Sequence, residues 1–404
     1  MKFAVSIINP PNYSHARAVW EVAETVHYGL QALGHDSVLT FETDLGDDRQ
    51  HITLLPNLLV IYQGALAPNT VLYNLEQVYP GSPWLQAPVM DHFLQYPLWD
   101  YSTANIHQFR QMGVSPVQHV PIGYVPELSR IPSVPEAEDI DVLFYGSINE
   151  RRHQVLEALR KKNVNVEAIF GLYGQERDRY IARSKIVLNV HFYPAKVFEI
   201  VRVSYLLANR RFVISERGSD STEEPSFASG IVFSDYENLV DTCLDFLNRP
   251  LDRQRIAQAG FELMSQRSEV AYLENALQSL QQRSDPEKPF VFQKDLYRKR
   301  QAAYCLKQEQ YAEAIALYEQ SLETDPTCTL SYWNLGLALL FAGDDMAAQL
   351  CWAASLSRSE EKAPEFDEAQ LLLFLHQAVE QYQSMQRPDL AERIRQQILE
   401  LGFT

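Results

Sequence analysis

Cysteine is scarce in this chain. Its 404 residues include four, Cys243, Cys305, Cys328 and Cys351. None forms a CxxC pair or stands among histidines at metal-ligand spacing, so no zinc module is encoded and nothing demands a disulfide. A reducing, cytoplasmic setting is the expectation. Long apolar runs are missing as well. No window approaches 18 consecutive apolar residues, which argues against a membrane-spanning helix, and the opening "MKFAVSIINPP" is too short in apolar residues for a signal peptide. Positive charge is in deficit: 35 Lys and Arg stand against 52 Asp and Glu, a net −17. A nucleic-acid binder shows the opposite footprint, so DNA and RNA are excluded as first expectations. The chain also lacks GxGxxG, a P-loop lysine, HExxH, GxSxG and a DxD in a credible loop, so neither a metal nor a resident cofactor is expected.

What is present is a folded chain of more than one core. Hydrophobic residues make up 46%, above the range of disordered segments, and the length calls for two or three domains. Residues 2–8 read as a buried strand. "NYSHARAVWEVAETVHYGLQALGHD" repeats Val19, Val22, Ala23, Val26, Leu30 and Leu33 at helical spacing and stops at Gly34. "SVLTF" and "NLLVIYQG" look like further strands, followed by the short apolar runs "TVLYNLEQ" and "APVMDHF". A helix ending at Gly113 leads to the strand "PVQHVPIGY". Strands alternating with helices predict a parallel sheet with helices on both faces.

A proline-rich stretch, 126–138, reads as a linker, after which the alternation begins again. "IDVLFYGS", "VNVEAIF", "KIVLNVHF", "RRFVISE" and "GIVFS" are expected strands; 150–162, 196–208 and 236–247 are expected helices. The predicted organisation is a Rossmann-like domain over 1–125, the linker, a second Rossmann-like domain over 139–283 and a helical domain over 291–404. Ligands of such sheets sit beyond the carboxyl ends of the strands. In the last part, aligning Ala302 with Gly336 gives a 34-residue period that also matches Ala314 with Ala348, Tyr318 with Trp352 and Ser321 with Ser355. This is similar to the tetratricopeptide repeat, whose small and aromatic positions pack helix pairs closely and whose stacks bind protein partners.

Residues 140–218 reverse the overall charge, with 14 Lys and Arg against 8 Asp and Glu. In "DVLFYGSINERRHQVLEAL" a buried strand ends at Gly146-Ser147 and a helix begins. Its free N–H groups and dipole favour an anion. Gly146 permits close approach, Asn149 is placed to cap the helix, and Arg151 and Arg152 add charge suited to phosphate. A strand–turn–helix with solvated arginines fits the same residues. In "NVHFYPAKVFEIVRVSYLLANRRFVISERG", Lys196, Glu199 and Arg202 gather at an expected helix start. They suit a ribose diol beside phosphate, or an internal Glu199–Arg202 pair.

These residues carry a resemblance. Residues 1–283 resemble the GT-B-fold glycosyltransferases, closest to the families with a Glu–seven residues–Glu element and to the CgeB-like group. The resemblance implies transfer of a sugar from a nucleotide-sugar donor to a glycan or protein acceptor, without metal. "GSINERR" stands where the family's loop faces the diphosphate. Glu199 stands at the glutamate that holds the ribose. The family's first glutamate, which contacts the donor sugar, falls at His191, a departure. In the amino-terminal half, His15 lies in the loop where some inverting members place a general base, and it also suits a packing role at the helix start. Asp91 and His92, and Glu76, are further candidates for the cleft. A scaffold of the same fold that binds nucleotide without turnover is the alternative.

Overall fold

The computed structural model describes residues 1–11, 13–79, 81–85, 87–132, 138–219, 223–283, 294–356 and 364–401. The chain divides into two compact units, Met1–Arg110 with Pro116–Val291, and Gln111–Ser115 with Phe292–Thr404.

The first unit holds two parallel sheets. The strands of the first are β1 (Lys2–Ile7), β2 (Asp36–Thr40), β3 (Gln50–Leu54), β4 (Thr70–Asn74), β5 (Leu98–Asp100) and β6 (Val117–His119), in the order β2-β1-β3-β4-β5-β6. From Phe3 to Ile7, β1 is buried on both faces, as a central strand covered by helices must be. Helix α1 (Trp20–Ala32) buries Val22, Ala23, Val26 and Leu30, and Gly34 follows at φ +80°. Two shorter helices, α2 (Ala87–Gln95) and α3 (Thr103–Gln111), complete this half.

The second sheet contains β7 (Ile140–Tyr145), β8 (Val166–Ile169), β9 (Ser184–Asn189), β10 (Val213–Glu216) and β11 (Val232–Ser234), in the order β11-β10-β9-β7-β8. Its helices are α4 (Glu150–Lys161), α5 (Gln175–Ala182), α6 (Ile200–Ala208), α7 (Leu239–Leu247), α8 (Pro250–Ser265) and α9 (Glu269–Arg283). In each sheet the strand order reverses once, between β1 and β3 and between β7 and β9. Connections leave on opposite faces there and open a crevice.

Two readings of the sequence change, and one short apolar run gains its element. "NLLVIYQG" is not a strand: Leu55 takes φ +59° and Pro56 opens a 3-10 turn, Pro56–Val60, so the neighbouring strand is Gln50–Leu54. "APVMDHF" lies in α2, since an apolar run of that length suits either element. The helix expected from 196 starts at Ile200, because Lys196 takes φ +47°, which no helix residue can adopt.

Residues 126–132 are packed rather than extended. Leu128 and Ile131 are buried, and Arg130 forks onto Glu24 at 3.0 and 2.7 Å. Residues 133–137 lie outside the described residues, as do 284–290, where the second Rossmann-like part was expected to give way to helices. Helix α9 returns to the first sheet's half. It packs on α1, where a Cβ on Gly29 would come within 2.7 Å of Leu273, and the Gly123 N–H donates to Glu269 at 2.7 Å.

The second unit includes six helices among the described residues: α10 (Lys294–Lys307), α11 (Tyr311–Thr324), α12 (Thr329–Ala342), α13 (Asp345–Leu356), α14 (Pro364–Ser384) and α15 (Pro388–Glu400). Ala302, Ala314, Tyr318 and Ser321 are buried, and so are Gly336, Ala348, Trp352 and Ser355, each 34 residues on. No described helix is long and apolar enough to cross a membrane.

Candidate functional site

A cleft of about 350 Å³ lies within the first unit, inside the range of small-molecule sites, roughly 300–1,000 Å³. Much of its wall comes from residues just past strand ends. Leu55 and Asn57 follow β3, Leu75, Glu76 and Gln77 follow β4, and Tyr101 follows β5. From the second sheet, Gly146 and Ser147 follow β7, Phe170 to Tyr173 follow β8, and Phe192 and Tyr193 follow β9. Both sheets therefore present their carboxyl ends to one space.

The turn after β7 is built for close approach. Gly146 takes φ +129°, and a Cβ there would lie 2.9 Å from Arg202 Nη2 and 3.8 Å from Arg152 Nη1. Asn149 caps α4, its Oδ1 accepting from the Arg152 N–H at 3.0 Å. The Arg152 side chain is buried and donates to the carbonyls of Val190 (2.8 Å) and Ser147 (2.9 Å). Both arginines share one carboxylate: Glu199 lies 3.3 Å from Arg152 and 3.5 Å from Arg202. Burial, with Arg202 adding to the effect, lowers the Arg152 guanidinium to about 10 against the pull of Glu199. Two cations and one anion at a glycine turn leave an excess positive charge facing the cleft.

Of the sequence candidates, Gly146, Ser147, Arg152, Glu199, Arg202 and His15 line the cleft. Arg151 does not. One residue along the helix from Arg152, it points about 100° away, forks onto Glu216 and stacks over Tyr236 at 3.9 Å. The negative partner that the paired arginines called for is, at Arg151, internal. Lys196 also pairs with Glu216, at 3.2 Å. Buried His191 stands beside Glu199, its Nδ1 3.8 Å away, and its backbone N–H donates to Glu216 at 3.0 Å. Burial lowers its pKa. Asp91 sits on α2 and is not part of the cleft wall. The internal Glu199–Arg202 pair is present and faces the cleft.

On the opposite wall, His15 Nδ1 lies 2.7 Å from the Tyr173 hydroxyl of the second half. Other groups also tie the walls together. Arg177 donates to Glu21 at 2.7 and 3.2 Å, Trp84 donates to the Tyr193 hydroxyl at 2.9 Å, and Gln77 pairs with the Val197 backbone at 3.2 and 3.3 Å. Glu76 completes this wall. Tyr13, Trp84, Phe170, Tyr173, Tyr193 and Arg177 carried no motif, but Phe170 and Tyr173 stand directly past a strand end, a position the carboxyl-end rule selects. Among the described residues no group of three or more His, Cys, Asp or Glu side chains is placed to hold a metal ion.

No protein-family model matches the chain. An uncharacterized protein of Acanthamoeba polyphaga mimivirus is 27% identical over 213 residues, covering 51% of this chain and 68% of its own. A second uncharacterized protein of that virus is 33% identical over 64 residues, 15% of this chain and 9% of its own. Among solved structures, Anabaena Alr3699/HepE in complex with UDP and glucose aligns with 69% of this chain and 99% of its own, at 10% identity and a TM-score of 0.48. AviGT4, a glycosyltransferase involved in avilamycin A biosynthesis, aligns with 70% of this chain and 97% of its own, at 15% identity and a TM-score of 0.44.

Proposed function

We propose that this chain is a GT-B-type glycosyltransferase that moves a sugar from a nucleotide-sugar donor to a hydroxyl of a glycan or protein acceptor, without a metal. The observation that supports it is the convergence of Arg152 and Arg202 on the Gly146 turn with Glu199 between them. In this reading the Gly146-Ser147 turn and the two guanidinium groups take the diphosphate, and Glu199 takes the ribose diol. The arginines then stabilise the charge that grows on the leaving diphosphate, the task a cation performs elsewhere. The acceptor hydroxyl enters from the wall that carries His15 and Glu76, and one of these takes its proton. The helices from Lys294 onward serve as tetratricopeptide-type repeats that recruit a protein partner or the acceptor.

The test is a thermal-shift panel of nucleoside diphosphates and nucleotide sugars. A ligand bound by the folded state alone stabilises it by about 2.7 kcal/mol at one hundred times its Kd. At least one nucleoside diphosphate is expected to raise Tm, and Arg202→Ala to cut the rise by about half or more. No shift with any member of the panel overturns the reading. Release of nucleoside diphosphate from the donor separates an enzyme from a scaffold.

A further inference from the structure

Resting on that reading, we propose that Glu76 is the catalytic residue that accepts the proton of the acceptor hydroxyl, and that Asn74, Asp100 and Asn105 are positioning residues that hold its loop. The acceptor oxygen bonds to the anomeric carbon. The bond from that carbon to the diphosphate oxygen breaks, its electron pair leaving on the diphosphate. The hydroxyl proton passes to the Glu76 carboxylate.

The loop after β4 is fixed by a buried polar network. The Glu76 carbonyl accepts from Asn74 Nδ2 at 2.8 Å and from Asn105 Nδ2 at 2.9 Å. Asn105 Oδ1 accepts from the Val78 N–H at 2.9 Å. Asp100, at the end of β5, orients both amides, accepting from Asn74 at 2.6 Å and from Asn105 at 3.1 and 3.2 Å, and it takes the Ser102 N–H at 2.7 Å. Asn74, Asp100 and Asn105 are wholly buried. Fully satisfied networks of this kind rigidify what they hold. Gln77 fixes the other end of the loop on the Val197 backbone. The carboxylate itself keeps a cleft position, with Oε1 accepting the Gln77 N–H at 3.0 Å.

Two other titratable groups of this wall, Glu21 and His15, are bound to the second half. Glu21 is taken by Arg177. His15 bonds Tyr173 through Nδ1 and sits against Tyr13 and Phe170, with ring centroids 5.6 and 4.8 Å away. It joins the two halves. Glu76 faces Tyr13, Tyr101 and Glu199 and accepts from the Tyr193 hydroxyl. Burial raises its carboxyl to about 7, with Glu199 adding to the rise against the hydrogen bonds from the Gln77 N–H and the Tyr193 hydroxyl. A base near neutrality suits this role. The deprotonated form predominates above that value, so the rate climbs with pH to about 7 and then levels.

The experiment uses the full chain and the nucleoside diphosphate that shifts Tm most, with release of that diphosphate from its sugar followed between pH 5.5 and 9. Glu76→Gln is expected to bind the diphosphate within about twofold of wild type, to lose turnover on the order of 100-fold, and to lose the limb near pH 7. His15→Gln is expected to keep the limb. Asn105→Ala is expected to lower kcat and move the limb while the donor KM holds, a pattern that lost stability alone does not produce. Turnover by Glu76→Gln within threefold of wild type, or an unchanged limb, overturns the assignment. So does a wild-type protein that binds the diphosphate but never turns over. A wild-type protein that binds no nucleoside diphosphate overturns the glycosyltransferase reading, and the assignment falls with it.

Discussion

Arg151 and Arg202 differ in what their charge already meets, and that difference is testable. Arg151 is committed to Glu216, a carboxylate with 1% of its side chain exposed; Arg202 shares Glu199 with Arg152 and faces the cleft. Arg202→Ala is therefore expected to weaken nucleoside diphosphate binding at least tenfold, about 1.4 kcal/mol. Arg151→Ala is expected to leave binding within about threefold but to cost about 1.5–3 kcal/mol of stability, the range for a hydrogen bond to a charged group. Calorimetric titration with a denaturant melt reads both, and equal loss of binding in the two variants sinks the distinction. Gly146→Ala should fail in both respects. Its φ of +129° is open to glycine alone, at a strain of about 1–3 kcal/mol for other residues, and the new methyl group meets Arg202. Of these residues, the turn at Gly146 was legible because the apolar run ends there in two small residues. The partner of Arg151 was not, since Glu216 is 65 positions away and only the sheet brings it near.

Elements were legible where one periodicity ran long enough to exclude another. Helices α1 and α4 and strands β1 and β7 follow their hydrophobic spacing, whereas Pro56–Val60 and α2 do not, because short apolar runs fit strand, turn and helix alike. The start of α6 was hidden because nothing in the lettering marks Lys196 for φ +47°. The 34-residue period was visible from the spacing of small and aromatic residues, and its packing meaning is concrete at one position. Gly336 on α12 abuts Trp352 on α13: a Cβ would fall 2.1 Å from the indole Nε1, which donates to the Trp333 carbonyl at 3.1 Å. Gly336→Ala must displace that indole and strain this bond. A cost of about 1–3 kcal/mol is expected, the range for overpacking a filled core. Urea titration followed by tryptophan fluorescence measures it. Diphosphate binding should persist, because the residues lining the cleft belong to the other unit. Stability unchanged within 0.5 kcal/mol, a surface-like response, contradicts the close packing.

At the scale of the molecule, two parallel sheets followed by helices could be read from alternation alone, but the return of α9 could not, because Glu269 meets Gly123 across 146 positions. That contact sets a pH dependence. Glu269 is 1% exposed, and burial raises its carboxyl to about 8 against the opposing Gly123 N–H. Burial likewise raises Glu76 to about 7. In the unfolded chain such carboxyls titrate near their ordinary values, about 4. Between the two values the folded state holds a proton that the unfolded state has released, so stability falls as pH rises and levels once the folded group ionises. Each group contributes at most about 1.4 kcal/mol per pH unit within its window. Glutamine at 269 can still accept the Gly123 N–H and carries no proton to lose. Glu269→Gln is therefore expected to match wild type near pH 4.5 and to exceed it progressively from pH 5.5 to pH 8.5, with no further divergence above. Denaturant melts across that range decide the matter: wild-type and variant curves that stay parallel from pH 5.5 to pH 8.5 would mean that Glu269 is already ionised in the fold and that α9 is held by a charge rather than by a neutral acid.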